Sequence, residues 1–465
     1  MLVNSSIRAA TVAIGVMLCG ATANAQSFTD AGGSFRNHVA TICPVLAQQR
    51  DTASNEQDLF LRCNGALSQP AAANAGLTGL TDQGAILDQY LGVQGIAQQA
   101  DAATEATRGD QAVAGRLSAI GGQLRGRQFA GLTQPRAILL ASNDPDQFMV
   151  PDNSGLRERA LDGFLSIGGY DGDQDTTSQE LGFDQEGWWI AGGLDYQFSD
   201  TLIAGAAISY VDGTADFDSI GGVQSGGSMN SESWSVSAYG SLLATEKLEL
   251  NGLVSFGQAD FRNKRNISVV DRNGDANGGG GQSDQDNLAT INRTAVSDSE
   301  ADTIQLTVGG SYALYQEGGV SFTPTAELSY YNADIDGFSE TGAGGLNLTY
   351  DSQEVDSLRA SVGAIWQNAI NTDWGVFVPY ARGAAVFELQ DDEQSVRARY
   401  TAAQRVSDSS FTITTNPADE SSFDIAVGAS AIMPGGFSAF AEYTTVLGLD
   451  NVSHQGIALG LRMEF

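Results

Sequence analysis

From Leu161 onward, apolar and polar residues alternate in about twelve segments, each near the ~9–11 residues that a tilted strand needs to cross a membrane. Successive strand side chains point to opposite faces, so each segment builds one greasy face and one polar face. Leu202, Ala204, Ala206, Ile208 and Tyr210 share a face in the third segment. In the fourth, Trp234, Val236 and Ala238 stand opposite Ser233, Ser235, Ser237 and Tyr239. The sixth sets Ile304, Leu306, Val308, Gly310 and Tyr312 against Thr303, Gln305, Thr307 and Ser311. In the seventh, Val320, Phe322, Pro324, Ala326 and Leu328 oppose Ser321, Thr323, Thr325, Glu327 and Ser329. Leu358, Ala360, Val362, Ala364 and Trp366 then face away from Arg359, Ser361 and Gln367. The final segment alternates Ile457, Leu459, Leu461, Met463 and Phe465 with Ala458, Gly460, Arg462 and Glu464. On this register Glu327, Arg359, Glu442, Arg462 and Glu464 are candidates to face inward. A soluble sandwich alternates in this way once or twice. Sustained alternation over roughly three hundred residues predicts a mainly β fold, an antiparallel transmembrane barrel of about 12 strands over 161–465.

The connections alternate in length. Short ones read Ser199-Asp-Thr201, Thr245-Glu-Lys247, Glu317-Gly-Gly319, Asn371-Thr-Asp373 and Pro434-Gly-Gly436. Long ones cover approximately 171–186, 218–230, 264–300, 332–354 and 390–421 and are rich in Asp, Ser, Asn and Gly. Membrane barrels segregate short inner turns from long outer loops, whereas a soluble fold has no reason to sort loop length by parity. Tyr170, Trp188, Trp189, Tyr196, Phe198, Trp374 and Tyr380 lie near strand ends, as interfacial girdles require.

Ahead of the barrel the pattern changes. A short apolar run within Ile7 to Gly20, after Arg8 and followed by Ala23-Asn-Ala25, predicts a secretory signal peptide over 1–25, removed after Ala25. Leu18 before Cys19 argues against lipid attachment there. The mature chain then keeps Cys43 and Cys63, which in an oxidising compartment most simply form one disulfide. Within 26–130, Ile86, Tyr90, Val93, Ala97 and Ala100 recur at helical spacing, as do Val113, Leu117, Ile120 and Leu124. This predicts a small helical N-terminal region, fitting a coiled coil, a self-packed hairpin or a helix docked at the barrel mouth. Residues 131–160 form a linker or a lumenal segment.

Charge and candidate chemistry narrow the function. Only 17% of residues are charged, 56 of 465 are glycine, and the formal net charge is −33, which excludes nucleic-acid binding and suits solvated loops. His38 and His454 are the two histidines, and no Gly-x-Ser-x-Gly elbow precedes either. No zinc, P-loop or dinucleotide pattern is present, so no enzyme and no cofactor is expected. Asp171-Gly-Asp-Gln-Asp175 and Asp271-Arg-Asn-Gly-Asp-Ala-Asn277 space oxygens as calcium loops do but lack the bidentate Glu, which favours plain solvated loops.

The strand count, the loop parity, the rhythm of Gly187-Trp-Trp-Ile-Ala-Gly-Gly-Leu-Asp-Tyr196 and the ending Leu459-Gly-Leu-Arg-Met-Glu-Phe465 resemble the translocator domain of the autotransporter (type V secretion) family. The resemblance implies an outer-membrane location, Sec export, insertion by the barrel-assembly machinery with Phe465 as part of the signal, and lipid as partner. No surface partner is implied. It also implies a chain segment inside the lumen just before the first strand, where Arg157 and Arg159 would meet Glu327, Glu442 and Glu464. Some members cut their own chain there. Asn143 and Asn153 are present without the matching motif. Two functions fit: a barrel that exports or displays its short helical segment, or a channel or scaffold whose 26–130 region stays periplasmic as a plug or envelope contact.

Overall fold

A computed structural model describes residues 39, 42–48, 55–68, 161–177, 181–219, 226–271, 289–390, 395–406, 409–414 and 419–465. The expected signal peptide, the helices read from 86–124, the linker 131–160 and His38 lie outside these residues.

Twelve long antiparallel strands close into one barrel. They are β1 (Leu161–Gln174), β2 (Phe183–Ser199), β3 (Leu202–Phe217), β4 (Gly227–Leu243), β5 (Leu248–Asp271), β6 (Ala289–Tyr312), β7 (Val320–Ile335), β8 (Gln353–Asn368), β9 (Gly375–Glu388), β10 (Ser421–Met433), β11 (Phe437–Leu447) and β12 (Val452–Glu464). Each strand pairs with its sequence neighbours. Closure comes from β12 against β1, with Leu461 opposite Leu165 and Ile457 opposite Gly169. No lipid-facing edge is left with unpaired backbone groups.

The outward faces match the sequence pattern. Ile208, Val236, Leu306, Val308, Leu328, Val362, Ile457, Leu459 and Phe465 are all exposed, while Ser237, Gln305, Thr307, Ser321 and Thr323 are buried on the inner wall. The aromatic expectation needs correction. Trp188, Tyr196, Phe198 and Trp374 do face outward. Tyr170 and Trp189 instead pack inside the wall with Ala191 and Val211, and Tyr380 stands on the inward parity, beside Gly428. Adjacent Trp188 and Trp189 cannot both meet lipid, because neighbouring strand positions face opposite ways. From Trp188 to Phe198, at ~3.3 Å per residue and a tilt near 40°, is a rise of roughly 25 Å, the height of an apolar band.

The expected long loops are also shortened. β1 runs on to Gln174, β2 begins at Phe183, and β5 and β6 are 24 residues each, so about half of the expected loops 171–186 and 264–300 is strand. Only the connection between β11 and β12, residues 448–451, is a short link at the long-loop end, with Gly448 and Asn451 at positive φ.

The extra length follows a second rule. In β6, Ile304, Leu306 and Val308 point out and Gln305 and Thr307 point in. Further along, Asp298, Glu300 and Asp302 point out while Ile291, Ala295 and Ala301 are buried inside. β5 inverts likewise, from outward Leu250 and Phe256 to outward Asp260, Arg262 and Lys264 over inward Phe261, Ile267 and Val269. Inside lipid the greasy face must point out. Beyond it, water takes the outer face and the greasy residues turn in.

Those inward apolar residues belong to the largest hydrophobic core among the described residues, at the barrel end opposite Leu161 and Phe465. A four-stranded sheet from the connections after β7 and β9 fills it: Ser410–Thr414, Ser395–Tyr400, Leu348–Tyr350 and Phe338–Ser339, in that spatial order. Two short 3-10 turns, Gly344–Leu346 and Thr401–Ala403, present their backbones to a helix, α1 (Asn55–Ser68). Residues 42–48 are also helical, and Cys43 is disulfide-bonded to Cys63 across a Cα separation of 6.0 Å. Val39, Ile42, Leu46 and Leu59 enter the same core as Phe261, Val269 and Leu346. No described helix is long and apolar enough to cross a membrane.

Candidate functional site

Among the described residues, two places combine burial with charge: the lumen wall and the cap at the barrel end opposite Leu161 and Phe465.

The wall collects every inward charge read from the sequence. Arg462, on β12, reaches Asp162 of β1 at 2.7 Å and Glu464 at 2.9 Å, joining the first and last strands on the side of closure. Glu442 of β11 accepts from Arg382 of β9 at 2.6 Å across β10. Glu327 and Arg359 sit on neighbouring strands, two residues apart in register and so on the same face, and Glu327 also lies within the field of Arg382. Glu442 and Glu464 are therefore held by arginines of the wall itself, whereas Arg157 and Arg159 fall outside the described residues. Elsewhere on the inner face, Glu249 accepts from Ser241 at 2.6 Å and Ser311 at 3.1 Å, and Asp195 accepts from Tyr239 at 3.2 Å. Sequence reading missed Asp162, Asp195, Glu249 and Arg382. The strand parity that found Arg359 contained all four.

The candidate calcium run Asp171–Asp175 is not a loop. Asp171 and Asp173 stand on β1, where Gln455 donates to Asp171 at 2.7 Å and Ser453 donates to Asp173. The second run, after Asp271, lies outside the described residues. Among the described residues no cluster of three or more His, Cys, Asp or Glu has the arrangement of a metal site. His454 lies on β12 with its ring 3.2 Å from Gln185 Nε2.

The cap is the more unusual site. Asp58, in the first turn of α1, accepts from both terminal nitrogens of Arg293 on β6, with Nη2 to Oδ1 at 3.0 Å. The Gly345 N–H donates to Asp58 Oδ2 at 2.8 Å, and Arg62 Nε reaches Oδ1 at 3.3 Å. Arg293 also donates to the Ala343 carbonyl at 2.9 Å, tying carboxylate and turn into one cluster. Burial works to raise the Asp58 pKa, but the hydrogen bond and charge of Arg293, with Gly345 and Arg62, hold it below the ordinary value.

Gly345 lets the helix come this close. A Cβ there would lie 2.4 Å from the Leu59 backbone nitrogen and 2.7 Å from the Asn55 oxygen, so any side chain pushes α1 away. Gly344 before it holds φ +65, a conformation suited to glycine.

Below this joint lies a second buried pair. Arg265 of β5 donates to Glu340 through Nε at 2.9 Å and through Nη2, which also reaches the Leu346 carbonyl at 2.9 Å. Glu340 accepts in addition from the Leu348 N–H at 2.8 Å. Burial opposes the Arg265 cation, yet the Glu340 carboxylate more than offsets it, so the guanidinium stays charged. Neither pair was legible in the sequence, because Asp58 and Arg293 are 235 residues apart, Arg265 and Glu340 are 75 apart, and neither pair shares a local pattern.

The barrel is similar to several solved structures. The translocator domain of autotransporter NalP from Neisseria meningitidis is 16% identical, covering 68% of this chain and 90% of that one, with a TM-score of 0.49. The β-domain of the Bordetella autotransporter BrkA is 15% identical, covering 66% of this chain and 100% of that one, at 0.44. The transport unit of AIDA-I from Escherichia coli is 12% identical, covering 69% and 94%, at 0.41. No curated protein matches the chain. Residues 163–444, well over half of the sequence, match the family model described as Autotransporter beta-domain, and the chain belongs to that family.

Proposed function

We propose that this outer-membrane translocator-type barrel carries its own N-terminal helical segment to the outer face and holds it there. The observation that supports the reading is the position of α1. Its Asp58 and Leu59 are buried among loop residues at the end of the barrel opposite Leu161 and Phe465. An even strand count returns both ends of the barrel domain to one side of the membrane, the periplasmic side in this family, and this supports an external position for the cap. α1 and the first residue of β1 lie at opposite ends of the barrel, which supports transfer of the N-terminal segment from one side of the membrane to the other. Sec export with cleavage after Ala25, and insertion by the barrel-assembly machinery reading Phe465, belong to the same proposal. The proposed role is transport and display.

An epitope inserted between residues 26 and 38 tests the proposal on intact cells. Antibody labelling without permeabilisation is expected. Labelling only after the outer membrane is opened would overturn display in favour of a periplasmic segment.

A further inference from the structure

The outer cap is built from two stretches of chain that lie far apart in sequence, and no covalent bond crosses the joint between them. The Cys43–Cys63 disulfide closes the N-terminal half on itself, joining 42–48 to α1, and leaves the barrel half untouched. What crosses the joint is specific. Arg293 and the Gly345 N–H read one carboxylate, Asp58. Gly345 provides a contact too close for any side chain. Ile42, Leu46 and Leu59, each 1% exposed, enter the apolar core.

The barrel half is shaped to need this filling. Its own small sheet has strands of two to six residues and buries Leu348, Tyr350, Val396, Ala398, Tyr400 and Ile413 in the core that α1 completes. The inversion of β5 and β6 supplies a ring of inward apolar residues with no lipid to face.

We infer that the loops at this end of the barrel are a receptor whose ligand is this chain's own disulfide-closed unit, residues 42–48 with α1, held as a lid by the contacts named above. The lid is therefore a bound partner, and cutting the tether leaves it seated. The inference deepens the display reading and rests on it only for the side of the membrane the lid faces.

The test places a specific protease site between residues 70 and 80 of the full-length protein, purified in detergent, cuts it, and follows the fragment by size exclusion. The cut N-terminal fragment is expected to elute with the barrel. Gly345→Val drives a side chain into the α1 backbone, and Asp58→Asn removes the charge read by Arg293. Each is expected to raise the released fraction by about tenfold or more. Heat-modifiable gel migration checks that the barrel itself stays folded in both variants. Release of the wild-type fragment as readily as from Gly345→Val overturns the inference. Retention in all three proteins also overturns it, since the named contacts would then not be what holds the lid. The detergent assay is blind to membrane side, so a failed epitope experiment would sink display and leave the lid standing.

Discussion

Leu328→Arg probes the barrel register at the point where membrane physics is least forgiving. Leu328 stands on β7 opposite Val308 of β6 and Ala360 of β8, and its side chain is exposed on the outer face. Phe322 lies below it and outward Asn332 above it. At ~3.3 Å per residue and a tilt near 40°, Leu328 sits roughly 15 Å above Phe322 and about 10 Å below Asn332, close to the midplane. A lipid-facing Arg at that depth costs roughly 2–4 kcal/mol. The matched control is the next residue, Ser329, which faces the lumen and whose partner across β8 is Arg359. Ser329→Glu gives up a 3.0 Å hydroxyl contact with Thr307 but places an acid beside that arginine, so its net effect stays within about 0.5 kcal/mol. The assay is urea-titrated folding into lipid vesicles, scored by heat-modifiable migration, with outer-membrane fractionation in cells. Equal losses from the two variants, or a larger loss from Ser329→Glu, would refute the assignment of faces.

Three further outcomes follow from other parts of the molecule. Deleting Phe465 removes an exposed aromatic end of β12 and is expected to leave the protein in the periplasm, degraded and without a heat-modifiable band; normal assembly would remove Phe465 from the insertion signal. Glu340→Ala strands the buried Arg265 cation, which should destabilise the cap by about 3–5 kcal/mol while the barrel persists, seen as lost hydrogen-exchange protection at Leu346 and Leu348. The Asp58 carboxyl titrates below its ordinary value of 3.8, so its contribution is complete above that pH and is lost as pH falls through the lower folded value. Protease resistance of the cap should thus be flat from neutral pH down to about pH 4 and fall below it, a drop that Asp58→Asn abolishes.

The membrane part of this fold was legible because a barrel strand in lipid obeys one rule along its length. Ile457, Leu459, Leu461, Met463 and Phe465 needed only alternation to be placed, and all five face outward. The same rule concealed the outer halves of β5 and β6. At Gln258 and Asp260 the outward positions turn polar, so a search for greasy outer faces ends the strand there, although Ala259, Phe261, Ile267 and Val269 continue the alternation in opposite phase. The cap was illegible for a different reason. Asp58 looks like any acid in a first helical turn until Arg293 arrives from another part of the chain. Gly345 carries no signal at all until a helix backbone is placed against it.

The phase inversion in β5 and β6 also sets the vertical position of the molecule. Sinking by two residues along the strands, about 6.6 Å of strand length, would drag Gln258 and Asp302 toward the acyl chains, with Asp260 and Glu300 close behind. Rising by the same amount would lift Phe256 and Ile304 into water. Each displacement meets a penalty of its own kind, desolvated carboxylates one way and wetted hydrocarbon the other. The barrel therefore carries a waterline written into its strands. Any axial displacement of the barrel is resisted by the wall itself.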